Sequence, residues 1–149
     1  MAIKVLMLIY RKPDLTPAEF RKHYEDVHMP LTKKVAGDTF PLSHTRRYIP
    51  RATTPQDLSA TTEKYPPVVL GGNPADVGVD CVTELVFRDK KHMQLYFEMP
   101  HSPGAAAKLE EEADNFAAKY PTVLIEDCAE TTPDRKPRSN FWNLFRWRR

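Results

Sequence analysis

Residues 2–10, AIKVLMLIY, form a continuous apolar run broken by one lysine, and such a run reads as a strand buried on both faces. Lys12-Pro13-Asp14 ends it. Thr16-Pro17-Ala18-Glu19 then supplies three helix-start signals together: a threonine N-cap, proline at the first helical position, and a glutamate placed to close a capping box. Phe20, Tyr24, Val27, His28 and Leu31 make one apolar stripe behind that start, leaving Arg21, Lys22, Glu25 and Asp26 to water. Pro30 is expected to end the helix near His28.

The rest of the chain repeats the theme. Residues 43–49, SHTRRYI, alternate, with His44, Arg46 and Tyr48 on one face and Ser43, Thr45, Arg47 and Ile49 on the other. Residues 50–78 carry five prolines and three glycines with little periodicity, a long loop of the kind that often serves as a lid. Residues 79–87 alternate as a third strand, with Asp80, Val82, Glu84 and Val86 on one face and Cys81, Thr83, Leu85 and Phe87 on the other. Asp89 caps a helix to about Met99, with Met93, Tyr96 and Phe97 inward. Beyond Pro100 and Pro103, residues 105–119 form a second helical stretch on Ala106, Leu109, Ala113, Phe116 and Ala117, and residues 122–128 a fourth strand. The order βαββαβ is the α+β ferredoxin-like split βαβ arrangement. One face of its sheet stays uncovered by helices, so a homodimer that closes the two sheets into a dimeric α+β barrel is expected.

At 149 residues the chain suits one domain, and its charge divides unevenly along it. The net charge of +2 conceals a tail, residues 135–149, with six basic side chains and no acid, behind a mildly acidic body without a basic stripe. That distribution argues against nucleic-acid binding. The domain is accordingly placed at 1–131 and a basic aromatic tail at 132–149. The tail holds both tryptophans; the favoured reading is that it wraps a partner subunit or closes a pocket, with contact to an anionic membrane surface or a basic end without fixed structure as alternatives. No run reaches the ~20 apolar residues of a membrane span and the N-terminus lacks signal-peptide features, so a cytoplasmic protein is expected. Cys81 and Cys128 read as small buried hydrophobes rather than a disulfide framework.

Tyr10-Arg11-Lys12-Pro13, Leu15-Thr16-Pro17-Ala18-Glu19-Phe20, Tyr24 and His28-Met29-Pro30-Leu31 resemble the EthD-domain family of dimeric α+β barrel proteins. Asp80-Cys-Val-Thr-Glu84-Leu-Val-Phe87 and Ala113-Asp114-Asn115-Phe116 resemble its later segments, so the likeness spans about residues 3–130. Phe40-Pro41-Leu42-Ser43-His44-Thr45-Arg46-Arg47-Tyr48 is similar to the fungal polyketide-associated branch, which includes anthraquinone-pathway decarboxylases. The resemblance implies a cofactor-free lyase that tailors an aromatic polyketide, most directly by decarboxylation of a polycyclic carboxylic acid. Dehydration or cyclisation on the same fold, a non-catalytic polyketide binder or chaperone, and a cofactor-free monooxygenase are the alternatives.

Within that reading the catalytic candidates are His28, His44 and Tyr48. His28 sits where a helix dipole and burial oppose each other, which suits acid/base work on an enolisable substrate. Burying His44, Arg46 and Tyr48 against helices without partners would cost several kcal/mol, so they are expected to face the barrel interior, with Arg46 gripping a carboxylate and Tyr48 donating to an enolate. Asp80 and Glu84, roughly 13 Å apart along a strand, are too distant for a carboxylate pair and are expected to orient His28 or His44 or to pair with Arg46, with a buried structural ion pair across the barrel as the equal alternative. Substrate-binding candidates are Arg46, Tyr24, Asp80, Glu84, the apolar Leu8, Val82 and Val86 with Leu6 beside them, and His101 at the cavity mouth. His23 and His92 read as solvated. No metal site is expected, since no ligand motif occurs and only a convergence of His28, His44 and Glu84 in space would make one. No Gly-rich phosphate loop occurs, so no nucleotide cofactor is expected.

Overall fold

The computed structural model describes residues 2–52, 64–98 and 104–127. Cys128, His101, residues 53–63 of the long loop and the aromatic tail lie outside these. The strands are β1 (Ile3–Ile9), β2 (Ser43–Tyr48), β3 (Cys81–Phe87) and β4 (Thr122–Ile125), in the sheet order β2-β3-β1-β4 with every pairing antiparallel. The helices are α1 (Pro17–His23), α2 (Met29–Ala36), α3 (Lys90–Glu98) and α4 (Ala105–Ala113). This is the α+β ferredoxin-like order βαββαβ.

Local chemistry explains the first helix. Thr16 accepts from the Glu19 N–H at 3.1 Å, and the Glu19 carboxylate accepts from the Thr16 N–H at 2.7 Å, a complete capping box. The helix does not end at His28. A π-helical turn, Tyr24–His28, joins α1 to α2, and Met29 N–H donates to the Tyr24 carbonyl. Pro30 has no N–H and its ring crowds the preceding turn of a regular α-helix; the widened turn ahead of it gives the ring room, so proline bends the pitch instead of stopping it. The stop comes at Gly37, whose φ of 51° favours a residue without Cβ.

Period-2 alternation sorts the sheet. Val5, Ile9, Cys81, Thr83, Leu85 and Phe87 lie on the helix-covered side and are almost wholly buried. One cluster there joins Ile9, Phe20, Tyr24, Met29, Cys81 and Phe116, and a second joins Val5, Ala36, Leu85, Phe87 and Tyr96. Full burial of each large side chain stabilises by about 2–3 kcal/mol. β1 is buried on one face only: Leu6 and Leu8 lie on the opposite side, across from Glu84 and Val82, and remain partly exposed.

Two terminal expectations shift. The helical stretch expected to reach residue 119 stops at Ala113, where Asp114 to Ala117 turn so that Ala118 N–H can donate to the Tyr10 carbonyl at 2.8 Å and extend the edge of β1. β4 is four residues long. At the loop base, Asp80 accepts from the Arg11 N–H at 2.9 Å and Nε at 3.2 Å and pairs with Arg51 Nε at 3.1 Å, pinning the chain on either side of the long loop.

Candidate functional site

β2 is an edge strand, and its register fixes which side its polar residues take. Arg46 is opposite Thr83, His44 opposite Leu85 and Tyr48 opposite Cys81, all on the helix-covered side. This corrects the expectation that the three face the barrel interior. The cost that argued against the helix side is met by a partner that helical periodicity assigns to water, Glu25 in the π-helical turn. Arg46 donates to both its oxygens, Nε to Oε1 at 2.7 Å and Nη2 to Oε2 at 2.9 Å, and the Tyr48 hydroxyl donates to Oε1 at 2.7 Å. These charge-assisted bonds hold the Glu25 carboxyl below its usual range, with Arg46 the largest cause. Neither the Arg46 fork nor the Tyr48 proton is therefore open to a substrate in this state.

Arg46 Nη1 also lies 3.0 Å from His44 Nδ1 and donates to the His44 carbonyl at 3.0 Å. The Phe40 ring lies against the imidazole, centroids 5.9 Å apart and planes 12° from parallel. Burial first, and then the neighbouring guanidinium, push the His44 pKa down to about 4, so the ring is neutral at pH 7. His44 and Arg46 border an open groove of about 500 Å³ between β2 and the helical stretch, whose other walls are Glu25, Met29, Pro30, Lys33, Phe40, Pro41, Leu42 and Ser43.

His28 lies apart from the groove. Its Nδ1 bonds the Glu112 carboxylate of α4, and His23 Nε2 bonds the other oxygen of the same group. Both rings pack on Phe116, with centroids 4.8 Å and 5.4 Å away. His23 is thus a partly buried packing residue rather than a solvated one. Burial lowers the His28 pKa, and Glu112 opposes that shift. His92 is likewise buried rather than solvated: its Nδ1 accepts from the Arg88 N–H and its Nε2 meets the Thr39 carbonyl at 3.1 Å.

The remaining candidates divide between the two faces of the sheet. Tyr24 belongs to the core, its hydroxyl 3.2 Å from Thr83 Oγ1 and its pKa raised by burial. Asp80 serves the loop clamp instead of a histidine or Arg46. Glu84 is on the open face with Arg47, 3.5 Å away, and with Leu8, Val82 and Val86. The sheet therefore separates Glu84 from His28 and His44, and their convergence on a metal does not occur. Among the described residues, no group of three His, Cys, Asp or Glu is placed to hold an ion. No helix among them is long and apolar enough to cross a membrane.

The model of the EthD domain matches residues 12–119. A search of curated proteins gives no match. Among solved structures, an ethyl tert-butyl ether D (EthD) family protein from Bacillus halodurans aligns with 87% of this chain and 100% of its own at 20% identity and a TM-score of 0.52. An EthD-like protein from Ralstonia eutropha aligns over 90% and 97% at 14% identity and a TM-score of 0.53. SnoaB, a cofactor-independent oxygenase from Streptomyces nogalater, aligns over 89% and 96% at 13% identity and a TM-score of 0.40. At these identities the first two likenesses speak to the fold alone.

Proposed function

The chain belongs to the EthD domain family, and on that premise we propose that it is a cofactor-free lyase decarboxylating a polycyclic aromatic polyketide acid in the groove between β2 and the helical stretch. The observation that carries the reading is His44: a neutral imidazole beside an apolar wall of Met29, Pro30, Phe40, Pro41 and Leu42. The wall suits a flat ring system. Lys33, exposed at the groove, attracts the substrate carboxylate without a tight clamp, which leaves the carboxylate free to depart. As the C–C bond breaks, its electron pair moves toward the carbonyl β to the acid and an enolate forms. A hydrogen bond from His44 stabilises that oxygen, CO₂ leaves uncharged, and water admitted by the open groove returns a proton to carbon.

His28 acts as a positioning residue. With His23 it holds Glu112, and so α4, against the π-helical turn that presents Glu25. The open face of the sheet, with Leu6, Leu8, Val82, Val86 and Leu124, is given to a second copy of the chain. The proposed domain spans residues 1–131 and the proposed tail residues 132–149.

A second reading, a binder that shields a reactive polyketide, draws on one observation: Arg46 and Tyr48 already donate to Glu25. One experiment separates the two. The purified protein is incubated with a panel of aromatic β-keto acids, without added metal or nucleotide, and CO₂ release is followed by mass spectrometry. The lyase reading expects release well above the spontaneous rate; tight binding without acceleration would replace it with the binder.

A further inference from the structure

Glu25, Arg46 and His44 all border the groove, and Arg46 joins the other two: it donates to both Glu25 oxygens and meets His44 Nδ1. A guanidinium has donors and no acceptor. Its Nη1 lies 3.0 Å from His44 Nδ1, a contact that is a hydrogen bond only if Nδ1 carries a lone pair. The imidazolium, with protons on both nitrogens, and the Nδ1–H tautomer would each set two donors 3.0 Å apart, so that contact disfavours both. Arg46 cannot swing away to relieve it, because two of its other nitrogens grip Glu25 at 2.7 and 2.9 Å, and the Tyr48 hydroxyl steadies Glu25 at 2.7 Å. Phe40 covers one face of the ring.

We infer that Glu25 and Arg46 are positioning residues that lock His44 in its Nε2–H tautomer, so that the groove offers one fixed hydrogen-bond donor and selects ligands bearing a carbonyl or phenolate oxygen on a flat ring system. This deepens the lyase reading and rests on it for the identity of the groove. The selection itself holds for a binder as well. Among the described residues Nε2 has no hydrogen-bond partner, although His44 borders the groove. Burial first and the Arg46 charge second, against a weaker opposing pull from its own backbone, hold His44 neutral beside Arg46. Glu25 does not stand out in the sequence as a chemistry-bearing residue, because a regular helix puts it with Arg21 and Lys22 on the wet side.

The test has a spectroscopic arm and a binding arm. In ¹⁵N-labelled full-length protein at pH 7, two-bond proton–nitrogen correlations, with His44 assigned by its absence in His44→Phe, should show a protonated Nε2 and a bare Nδ1. Arg46→Met should give a mixture of tautomers, and Arg46→Lys should restore the lock only in part, because an ammonium cannot bridge Glu25 and His44 as a fork does. Should Arg46→Met not fold, Glu25→Gln keeps the shape, loosens the fork and should shift the same signal toward a mixture. In the binding arm, 1-tetralone should bind about three- to tenfold more tightly than tetralin, which lacks the oxygen, the worth of one net hydrogen bond. His44→Phe should abolish that preference. A protonated Nδ1 in the unmodified protein, a tautomer indifferent to both Arg46 and Glu25, or equal binding of the two probes overturns the inference. Absence of CO₂ release with the lock and the preference intact would sink the lyase reading and leave this one standing.

Discussion

Breaking the pair between Glu25 and Arg46 has a cost that the geometry allows to be worked out in advance. The side chains are 35% and 22% exposed, so the pair is neither a surface ion pair, worth about 0–1 kcal/mol, nor a fully buried one, whose rupture costs about 3–5 kcal/mol. Two parallel bonds at 2.7 and 2.9 Å put it on the favourable side of the surface range. A coupling of about 1.5 kcal/mol between Glu25→Gln and Arg46→Met is expected once solvent screening is allowed for. The assay is a double-mutant cycle by urea unfolding of the unmodified chain, the two single variants and the double variant. With a slope of about 1–3 kcal/mol per molar for a domain of this size, the coupling appears as a midpoint difference of about 0.5–1.5 M. Additive single costs, with a coupling below about 0.5 kcal/mol, would mean that Glu25 does not hold Arg46, and the lock on His44 would lose its anchor.

Three further outcomes are expected. His44 is neutral in the native state down to about pH 4 and titrates near 6.5 when unfolded, so between those values the unfolded chain binds more protons; stability is full above about pH 6.5 and falls as the pH drops toward 4, by at most about 3 kcal/mol, and His44→Gln should flatten that part of a urea midpoint-versus-pH series. Phe20 is 2% exposed and lies within about 6 Å of the rings of Tyr24, Tyr48 and Phe116, so Phe20→Ala should cost about 3–5 kcal/mol by thermal or urea unfolding; a loss under about 1 kcal/mol would contradict the packing described. Leu8→Glu on the open face should leave the circular dichroism spectrum unchanged and convert a dimer to a monomer in sedimentation equilibrium, whereas a monomeric parent protein would remove the second copy from the proposal.

The strands and the first helix start were legible because their signals are local. The β1 run, the alternation of β3 and the Thr16–Glu19 box depend on neighbours a few residues apart, and the structure follows them as elements, although β1 is buried on one face and not on both. Period-2 alternation also places His44, Arg46 and Tyr48 together correctly, but it gives only which residues share a face. Which face that is depends on register with β3, a long-range property. A desolvation cost weighed without a partner points to the wrong face, and Glu25, on a different element, supplies that partner. Pro30 misleads in a related way. Its steric demand reads as a helix end, while the chain meets it with one wide turn, and no pattern at 3.6 residues per turn reveals the extra residue. Glu112 is invisible for the opposite reason: its two histidines are 84 and 89 positions away, and nothing in the run of glutamates around it marks one as special.

If chemistry occurs at His44 in the groove and His28 acts only through α4, the turnover number for CO₂ release in His44→Phe and His28→Ala, measured side by side on the same acid, separates the two histidines. The predicted result is a fall on the order of 10²–10³ for His44→Phe, the loss of one enolate-stabilising donor, and less than about tenfold for His28→Ala. A reversed order, with His28→Ala nearly inactive and His44→Phe close to the parent, would contradict it.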